Sequence, residues 1–445
     1  MRELEHRFKE TVKTLPHYPE TGEEVSETLN WLKKCEQNIE IKIEKTTFPE
    51  LRQWNLADDE SDIKHESGKF FSIEAVRVSS KIGNQKLTWD QPIINQPEVG
   101  ILGYLAKRVG DKIYFLVQAK VEPGNPKLAQ ISPTVQATKS NYTQVHGGTI
   151  PPYLDYFTSA TIDKIQVDTL QSEQGKKFFR KKNRNIVVWV DNKLEDQENF
   201  RWVSYDALKQ LMKSDLVVNM DSRTVFACFA ASISNNSENE SNTSTTEDWI
   251  DSYRKSIEYQ VQKIALSDCK DWKLSDQSFR HINRAEFSVT PIAVKIESRE
   301  VKYWDQPILE HHNCGVIGLI VKKKTNSLHF LVRLYAEPGI ENYIAIGPTF
   351  QSETKENTSE YYQWEIVEEL KLSASNSRIT HSSFQSEEGG RFLNFISNYL
   401  IIEANNEIPD LSSDKFRWMN RKELDEALVA GLLNIEIRNL LAIYP

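Results

Sequence analysis

Polar side chains that could bind a charged ligand recur at matching positions in the two halves of this 445-residue chain. An arginine guanidinium can hold a phosphate through two hydrogen bonds, and amide side chains can read a base or a sugar. In the first half the recurring residues are Gln91, Gln136, Gln171, Glu173, Arg201, Asn219 and Arg223. In the second half they are Gln306, Gln351, Gln385, Glu387, Arg417, Asn434 and Arg438. Two interpretations stay open: a ligand pocket, or a buried polar network that holds each unit together.

One segment of the first half carries groups suited to proton transfer. Asn141, Tyr142 and His146 precede Gly147 and Gly148 in a segment that has no counterpart in the second half. An imidazole can act as a general base near neutral pH, and a phenol can act as an acid or donate to an oxyanion. The alternative for His146 is a surface histidine or one with a purely structural role.

The two halves are copies of one unit. Residues 89–136 recur 215 positions later as residues 304–351, without a gap. A constant offset over so long a stretch indicates duplication, and each copy is long enough to bury its own core. We therefore predict a polar leader over 1–25, a first repeat over 26–230 that is active, a flexible linker over 231–247, and an auxiliary second repeat over 248–445.

Local patterns predict an α+β fold for each repeat, with a mixed or antiparallel sheet and flanking helices. Residues 99–109 and 112–121 alternate like the strands of a hairpin around Gly110. Ser204 is suited to cap the start of a helix. Asn420, with Glu423 three residues later, resembles a capping box.

Composition narrows the class of protein. The net charge of −9 and the lack of basic runs argue against nucleic-acid or membrane-surface binding. No apolar run approaches the roughly 18 residues of a membrane span, and the charged N-terminus is unlike a signal peptide. The four scattered cysteines predict reduced thiols in a cytoplasmic protein and give no support for zinc. Dinucleotide and P-loop motifs are also lacking in the sequence, so we expect no cofactor and no metal.

Taken as a set, several motifs resemble those of the NDP-hexose 2,3-dehydratases of deoxysugar biosynthesis. They are Trp89-Asp90-Gln91-Pro92-Ile93, Glu122-Pro123-Gly124-Asn125, Ser132 to Thr138, Ser140-Asn141-Tyr142-Thr143, Gln171 to Gly175, Asn183-Arg184-Asn185 and Val218 to Thr224. The resemblance covers roughly residues 30–445. It implies two tandem Nudix-like folds, a homodimer, and dTDP-4-keto-6-deoxyglucose as substrate. A Nudix box is not visible in the sequence, so metal-dependent pyrophosphate cleavage is not implied.

The resemblance also implies roles for the candidate residues in a C2 dehydration. We expect His146 or Glu173 to be the base and Tyr142 the acid or enolate donor. Diphosphate contacts are expected from Arg184, Arg201 and Arg223. Sugar or thymine contacts are expected from Trp89, Gln91, Gln136, Asn141, Gln171, Asn185 and Asn219. The recurring residues of the second half form an auxiliary site, which has Asn398 where the pattern expects arginine. Alternatives are a Nudix-type nucleotide-sugar pyrophosphatase and a non-catalytic nucleotide-sugar binding protein.

Overall fold

A computed structural model describes most of the chain from residue 22 to residue 444. It leaves out 58, 83–84, 140–149, 192–193, 195–196, 235–242, 284–286, 297–301, 325–326, 353–375, 406–407 and 409–412. Strands dominate, and helices flank them, which confirms the predicted α+β class with two repeated halves. Among the described residues no helix is both long and apolar enough to cross a membrane.

The strands of the first half alternate between short pieces and long hairpin arms. In chain order they are β1 (Ile41–Lys45), β2 (Trp54–Leu56), β3 (Ile63–His65), β4 (Ser72–Ile82), β5 (Gln85–Asn95), β6 (Gly100–Val109), β7 (Lys112–Val121), β8 (Ala129–Ser132), β9 (Val135–Ala137), β10 (Ile165–Ser172), β11 (Lys182–Trp189) and β12 (Phe200–Ser204). Strands β6 and β7 form the predicted hairpin around Gly110, which has a positive φ of 58°.

The second half repeats this series of strands. They are β13 (Ile257–Ile264), β14 (Trp272–Ser275), β15 (Ser278–His281), β16 (Phe287–Ile296), β17 (Tyr303–His311), β18 (Gly315–Lys324), β19 (Ser327–Ala336), β20 (Ile344–Gly347), β21 (Phe350–Ser352), β22 (Ser377–Ser386), β23 (Phe392–Leu393), β24 (Ile396–Ala404) and β25 (Phe416–Asn420). The helices are α1 (Glu23–Gln37), α2 (Asp155–Thr158), α3 (Tyr205–Leu211), α4 (Met220–Ser234), α5 (Thr243–Ser256), α6 (Arg421–Val429) and α7 (Ile435–Ile443).

Each half contains a large mixed sheet. In the first half its order is β10-β11-β6-β7-β12, with β8 added to β7 and β9 to β6. Strand β11 runs parallel to β6, and the other pairs are antiparallel. The second half repeats the arrangement, with β24 parallel to β18 and antiparallel to β22.

The smaller sheets exchange strands between the halves. Strand β13 of the second half pairs with β4 of the first, so that Val261 lies opposite Val78. Strand β1 of the first half pairs in the same way with β16, placing Ile43 opposite Val294. The predicted domain boundaries follow the sequence repeat, but the packing crosses them. An alternating pattern predicts a strand without naming the strand that it pairs with.

The two halves also share one apolar core. Helices α4 and α7 pack against each other at its centre and are buried on nearly every side, as expected for helices inside a protein. Two buried arginines cross between the halves beside them. Arg223 donates to Gln385 Oε1 at 3.0 Å, and Arg438 donates to the Ser172 carbonyl at 2.6 Å.

Predictions of helix starts were confirmed, and helices extend into both ends of the predicted linker. Ser204 Oγ accepts a hydrogen bond from the Ala207 amide, and Asn420 with Glu423 forms the capping box. Residues 231–234 end α4 and residues 243–247 begin α5, both within the predicted linker. Its polar composition concealed a helix that buries Thr246 and Ile250 on one face. The middle of the predicted linker lies outside the described residues.

The Glu-Pro-Gly turn of each half reaches into the other half. The Gly124 amide donates to the Gly389 carbonyl at 2.7 Å, and the Gly339 amide donates to the Gly175 carbonyl at 2.6 Å. A Cβ atom on Gly124 would lie 1.7 Å from the carbonyl oxygen of Phe392. The equivalent atom on Gly339 would lie 1.6 Å from that of Phe178. Only glycine fits these positions, because a backbone carbonyl cannot move aside as a side chain can.

Replacing Gly339 with alanine should therefore destabilise the whole molecule. We expect Gly339→Ala to lower the free energy of unfolding by about 3 kcal/mol, near the top of the usual range for overpacking. Gly22→Ala is the control, since nothing lies within 4 Å of its added Cβ. Urea denaturation followed by tryptophan fluorescence measures both changes. Equal stability of the two variants would contradict the close approach between the halves.

Candidate functional site

The Glu-Pro-Gly turn of the first half brings a group of carboxyl side chains to the boundary between the halves. We call Glu122, Glu173, Asp221 and Glu388 the first acidic cluster. Glu122 follows β7, Glu173 follows β10, Asp221 lies in the first turn of α4, and Glu388 lies between β22 and β23. The cluster therefore draws three members from the first half and one from the second.

Amide side chains hold Glu122 in place. Gln136 Nε2 donates to Glu122 Oε1 at 2.9 Å, and Asn219 Nδ2 donates to Gln136 Oε1 at 2.9 Å. The Oδ1 atom of Asn219 accepts from the Ser222 amide at 2.9 Å and so caps α4. The start of a central helix therefore fixes the orientation of the glutamine, and the glutamine fixes the carboxylate.

Burial makes ionisation difficult for several members of the cluster. It raises the pKa of Asp221 well above the ordinary value, and the neighbouring carboxylates of Glu173, Glu388 and Glu122 raise that pKa further. Burial also raises the pKa of Glu173, although the charges of Arg438 and Lys181 oppose the rise. Fewer of these groups are therefore charged near neutral pH than their number suggests.

Glu388 differs from the other carboxyl groups in its exposure. Asp221 is 3% exposed and Glu173 is 5% exposed, whereas Glu388 keeps a partly exposed side chain. Burial, followed by the repulsion of Glu122, raises the pKa of Glu388 to about 7. A carboxyl group with such a pKa can both take up and release a proton near neutral pH.

Cations lie beside the cluster. The Nζ atom of Lys120 is 3.5 Å from Glu122 Oε1. Arg391 places its guanidinium 4.0 Å above the ring of Phe71 and donates to Gln96 at 3.3 Å. Burial lowers the pKa of Lys181, and its Nζ donates to the Glu98 carbonyl. Among the described residues no group of three or more His, Cys, Asp or Glu side chains has the spacing of metal ligands.

A second acidic cluster occupies the matching place in the second half and adjoins the first, since Glu387 and Glu388 are consecutive residues. It consists of Glu337, Glu387 and Glu436, and the same amide pair serves it. Gln351 Nε2 donates to Glu337 Oε1 at 2.9 Å, and Asn434 Nδ2 donates to Gln351 Oε1 at 3.0 Å. The predicted auxiliary residues Gln351, Glu387 and Asn434 therefore lie together.

The two clusters differ in ionisable groups. Gln174 stands where the first cluster has Glu388, and its Nε2 donates to Glu387 Oε2 at 2.5 Å. By the same alignment of the repeats, Tyr335 replaces Lys120 and Phe395 replaces Lys181. The second cluster keeps the amide network but lacks these three proton-carrying or charged side chains.

The exchange of strands regroups the predicted residues. Gln306 of the second half donates to the Gly390 carbonyl at 2.7 Å, beside Glu388 of the first cluster. Gln91 of the first half donates to the Lys176 carbonyl at 2.6 Å, beside the second cluster. Trp89 donates to Gln91 at 3.0 Å and shares this position. The expected grouping of Gln91 with Gln136 does not match these contacts, because the small sheets pack against opposite halves.

The arginines predicted to bind a diphosphate do not converge. Arg184 pairs with Asp168 through two hydrogen bonds of 2.7 Å, and Arg201 pairs with Glu27 at 2.8 Å on α1. Arg223 has no exposed surface and lies in the shared core. Arg184 lies on the inner strand β11 of the large sheet, Arg201 contacts a helix and Arg223 lies in the interior. Their ligand roles stay predictions.

The remaining predicted residues serve contacts between or within the halves. Gln171 donates to the Leu428 carbonyl at 2.8 Å, and Gln385 donates to the Met212 carbonyl at 3.2 Å. Asn185 is buried and donates to the Asn183 carbonyl, while Arg417 donates to the Thr245 carbonyl. Asn141, Tyr142 and His146 lie outside the described residues, and their roles also stay predictions.

Sequence reasoning missed Glu388 and Asp221. Both belong to motifs that the repeat had identified. Glu388 is the fourth residue of Gln-Ser-Glu-x-Gly, and Asp221 is the third residue of Asn-x-Asp-x-Arg. The signal for Glu388 was the difference between the copies, since the variable position of the first motif is Gln174 in one and Glu388 in the other. Selecting only recurring residues discarded it.

Comparison with known proteins agrees with this repeat structure. The family model described as NDP-hexose 2,3-dehydratase matches residues 25–229 and again residues 243–444. The chain belongs to the NDP-hexose 2,3-dehydratase family. The family model therefore matches both repeats of this one chain, and each repeat has its own acidic cluster.

Curated members of the NDP-hexose 2,3-dehydratase family resemble nearly the whole chain. A dTDP-4-dehydro-6-deoxy-alpha-D-glucopyranose 2,3-dehydratase from Saccharopolyspora spinosa is 34% identical and covers 93% of this chain and 89% of its own length. Enzymes of the same name from Amycolatopsis orientalis and Streptomyces violaceoruber are 35% and 34% identical. They cover 93% and 90% of this chain, and 88% and 92% of their own lengths.

Solved structures give a more distant likeness. A C. elegans Ap4A hydrolase in a binary complex is 18% identical, covers 29% of this chain and 94% of its own, and has a TM-score of 0.20. An ADP compounds hydrolase is 16% identical, covers 38% of this chain and 96% of its own, and has a TM-score of 0.21. Likenesses this weak carry no information about the site.

Replacing Asp221 should increase stability while removing a member of the cluster. A carboxyl whose pKa is raised by folding destabilises the protein as the pH rises above its ordinary value. We therefore expect Asp221→Asn to raise the free energy of unfolding near neutral pH by about 1 kcal/mol, with little gain in acid. Urea denaturation across a pH series measures this, with Asp111→Asn in an exposed turn as the control. A gain that does not grow with pH would contradict the burial argument.

Proposed function

We propose that the chain removes water across C2 and C3 of dTDP-4-keto-6-deoxyglucose without a cofactor, acting at the first acidic cluster. The observation that carries the proposal is the joint presence of the family's two repeats and a buried carboxyl cluster with raised pKa values. Relatives that are 34–35% identical over 90–93% of the chain carry the name of that 2,3-dehydratase. Homodimer formation and a cytoplasmic location complete the proposal, and both follow from the family resemblance and composition.

The chemistry requires a base, an acid and charge stabilisation. The ketone at C4 acidifies the C3 proton, so a base can remove it while negative charge develops on the C4 oxygen. The C4 carbonyl re-forms as a C2–C3 double bond appears and hydroxide leaves C2. The resulting enol becomes a 3-ketone, which gives a 3,4-diketo-2,6-dideoxy sugar. In this scheme the ammonium of Lys120 is positioned to stabilise the developing oxyanion.

The first cluster suits this reaction better than the second. It carries Glu388, Lys120 and Lys181, where the second cluster has Gln174, Tyr335 and Phe395. A glutamine amide cannot take up a proton, and a phenylalanine ring has no positive charge with which to stabilise an oxyanion. We therefore assign turnover to the first cluster and an auxiliary role to the second.

The binding residues of the proposed site come from both halves. Gln136 of the first half and Gln306 of the second supply amides for the sugar or thymine, and buried Asn219 holds Gln136 in place. Arg391 takes the place of buried Arg223 among the diphosphate contacts, because an arginine without exposed surface cannot reach a ligand. Binding of the distant nucleotide would then hold the hexose ring against the carboxyl groups.

Incubation with dTDP-4-keto-6-deoxyglucose tests the proposal directly. We expect the purified protein to convert the substrate to a product lighter by one water, with no added cofactor, as measured by mass spectrometry. Release of dTMP would instead identify a pyrophosphatase. Thermal stabilisation by the substrate without any product would identify a binding protein.

A pair of matched variants tests which cluster is active. Asn219→Ser and Asn434→Ser should cost similar stability, because serine can keep each helix cap while the contact to the neighbouring glutamine is lost. Activity should differ, since misplacing groups in a catalytic site costs about a hundredfold in rate. We expect that loss in kcat/KM for Asn219→Ser and a much smaller one for Asn434→Ser. Equal losses would contradict the assignment to the first cluster.

A further inference from the structure

We propose that Glu388 of the second half is the acid–base residue of the first cluster, so that the active site is complete only when both halves contribute. This inference rests on the proposed function and names the group that moves the proton. The sequence analysis expected Glu173 or His146 as the base. Glu388 takes that role here, although it was passed over because it does not recur in both repeats.

Backbone contacts place Glu388 in the site. The neighbouring Gly389 accepts a hydrogen bond from the Gly124 amide at 2.7 Å, and a Cβ on Gly389 would lie 2.8 Å from Glu122 Cβ. The loop that carries Glu388 is therefore held against the turn that carries Glu122. The Gly390 amide donates to Glu388 Oε1 at 3.1 Å, so the carboxyl is held by one oxygen.

A buried oxygen beside this carboxyl points to a ligand. Glu122 is 6% exposed, and Gln136 donates to its Oε1 atom. No described residue donates a hydrogen bond to its Oε2 atom. A buried carboxylate oxygen without a donor is unfavourable, and a ligand hydroxyl is the kind of group that would satisfy it. A hexose bound here would present such hydroxyls next to Glu388.

The surrounding charges suit a group that gains and loses a proton. Glu122 and Glu173 repel a negative charge on Glu388, whereas Arg391 and Lys120 favour it. Burial is the largest effect, and the pKa of Glu388 is raised to about 7. Asp221 and Lys181 lie in the same network, where burial raises the pKa of the first and lowers that of the second. Both protonation states of Glu388 are therefore populated near neutral pH.

Glu388 alone can take up and return the proton that the reaction moves. The Glu388 carboxylate takes the proton from C3, and the C–H electron pair forms the enolate of the C4 ketone. The enolate then expels hydroxide from C2 as the C4 carbonyl re-forms. The hydroxide receives the proton from Glu388 and departs as water, which restores the carboxylate. In a D-gluco ring the C3 hydrogen and the C2 hydroxyl lie on the same face, so one carboxyl can reach both.

The variants Glu388→Gln and Glu388→Asp test this assignment in the full-length protein with dTDP-4-keto-6-deoxyglucose. Glu388→Gln should lower kcat by about a thousandfold, within the range for general acid–base catalysis, while KM and substrate-induced thermal stabilisation change little. Glu388→Asp should keep part of the activity with a shifted pH–rate profile. Solvent deuterium exchange at C3 should disappear in Glu388→Gln, which a purely structural role would not cause. The exposed Glu258→Gln is the control.

The outcomes separate this inference from the proposed function. A wild-type protein that produces no water overturns both. A wild-type protein that dehydrates the substrate, with Glu388→Gln equally fast, overturns the role of Glu388 alone. If Glu388→Gln does not fold, Glu388→Asp decides: an unchanged pH–rate profile overturns the assignment, and a shifted profile supports it.

Discussion

The close approach of two backbone turns determines how this molecule is built. Gly124 and Gly339 each donate a hydrogen bond to a carbonyl of the other half, and neither position has space for a side chain. This contact fixes the distance between the halves to a fraction of an ångström. The exchanged strands and the buried arginines add to it, so the two repeats share one continuous apolar core. Residues from both repeats can therefore meet in a single site.

Burying several carboxyl groups together at the boundary between the halves is electrostatically unfavourable, and the neighbouring cations offset this cost only in part. Arg438 and Lys181 oppose the burial effect on Glu173, but burial and three neighbouring carboxyl groups all disfavour the charge on Asp221. A group of carboxyls held close together in a protein interior is expected at a functional site, where shifted pKa values suit acid–base chemistry. The amide chain from Asn219 through Gln136 to Glu122 gives these charges a fixed geometry that a flexible surface cluster would lack.

Sequence patterns predicted what depends on near neighbours along the chain. The hairpin around Gly110 and the caps at Ser204 and Asn420 were found because each is set by a few adjacent residues. The recurring residues Gln136 and Asn219 are hydrogen-bonded to each other, as in the buried network that was one of the two open interpretations. Gln91 was grouped with the wrong half because its position depends on strand pairing between distant segments. Glu388 was missed because it does not recur in both copies, and its neighbour Glu122 lies 266 residues away in sequence.

The asymmetry between the clusters follows from the exchange of contacts between the halves. The loop that carries Glu388 belongs to the second repeat but serves the first cluster, and the loop that carries Gln174 serves the second cluster. A change at one of these loop positions therefore alters the chemistry of the opposite site and leaves the amide network of its own repeat intact. The residue proposed to transfer the proton and the amides of Gln136 and Asn219 therefore come from different repeats. One cluster can then lose its ionisable groups while the shared core, which needs the amides and arginines of both repeats, keeps its structure.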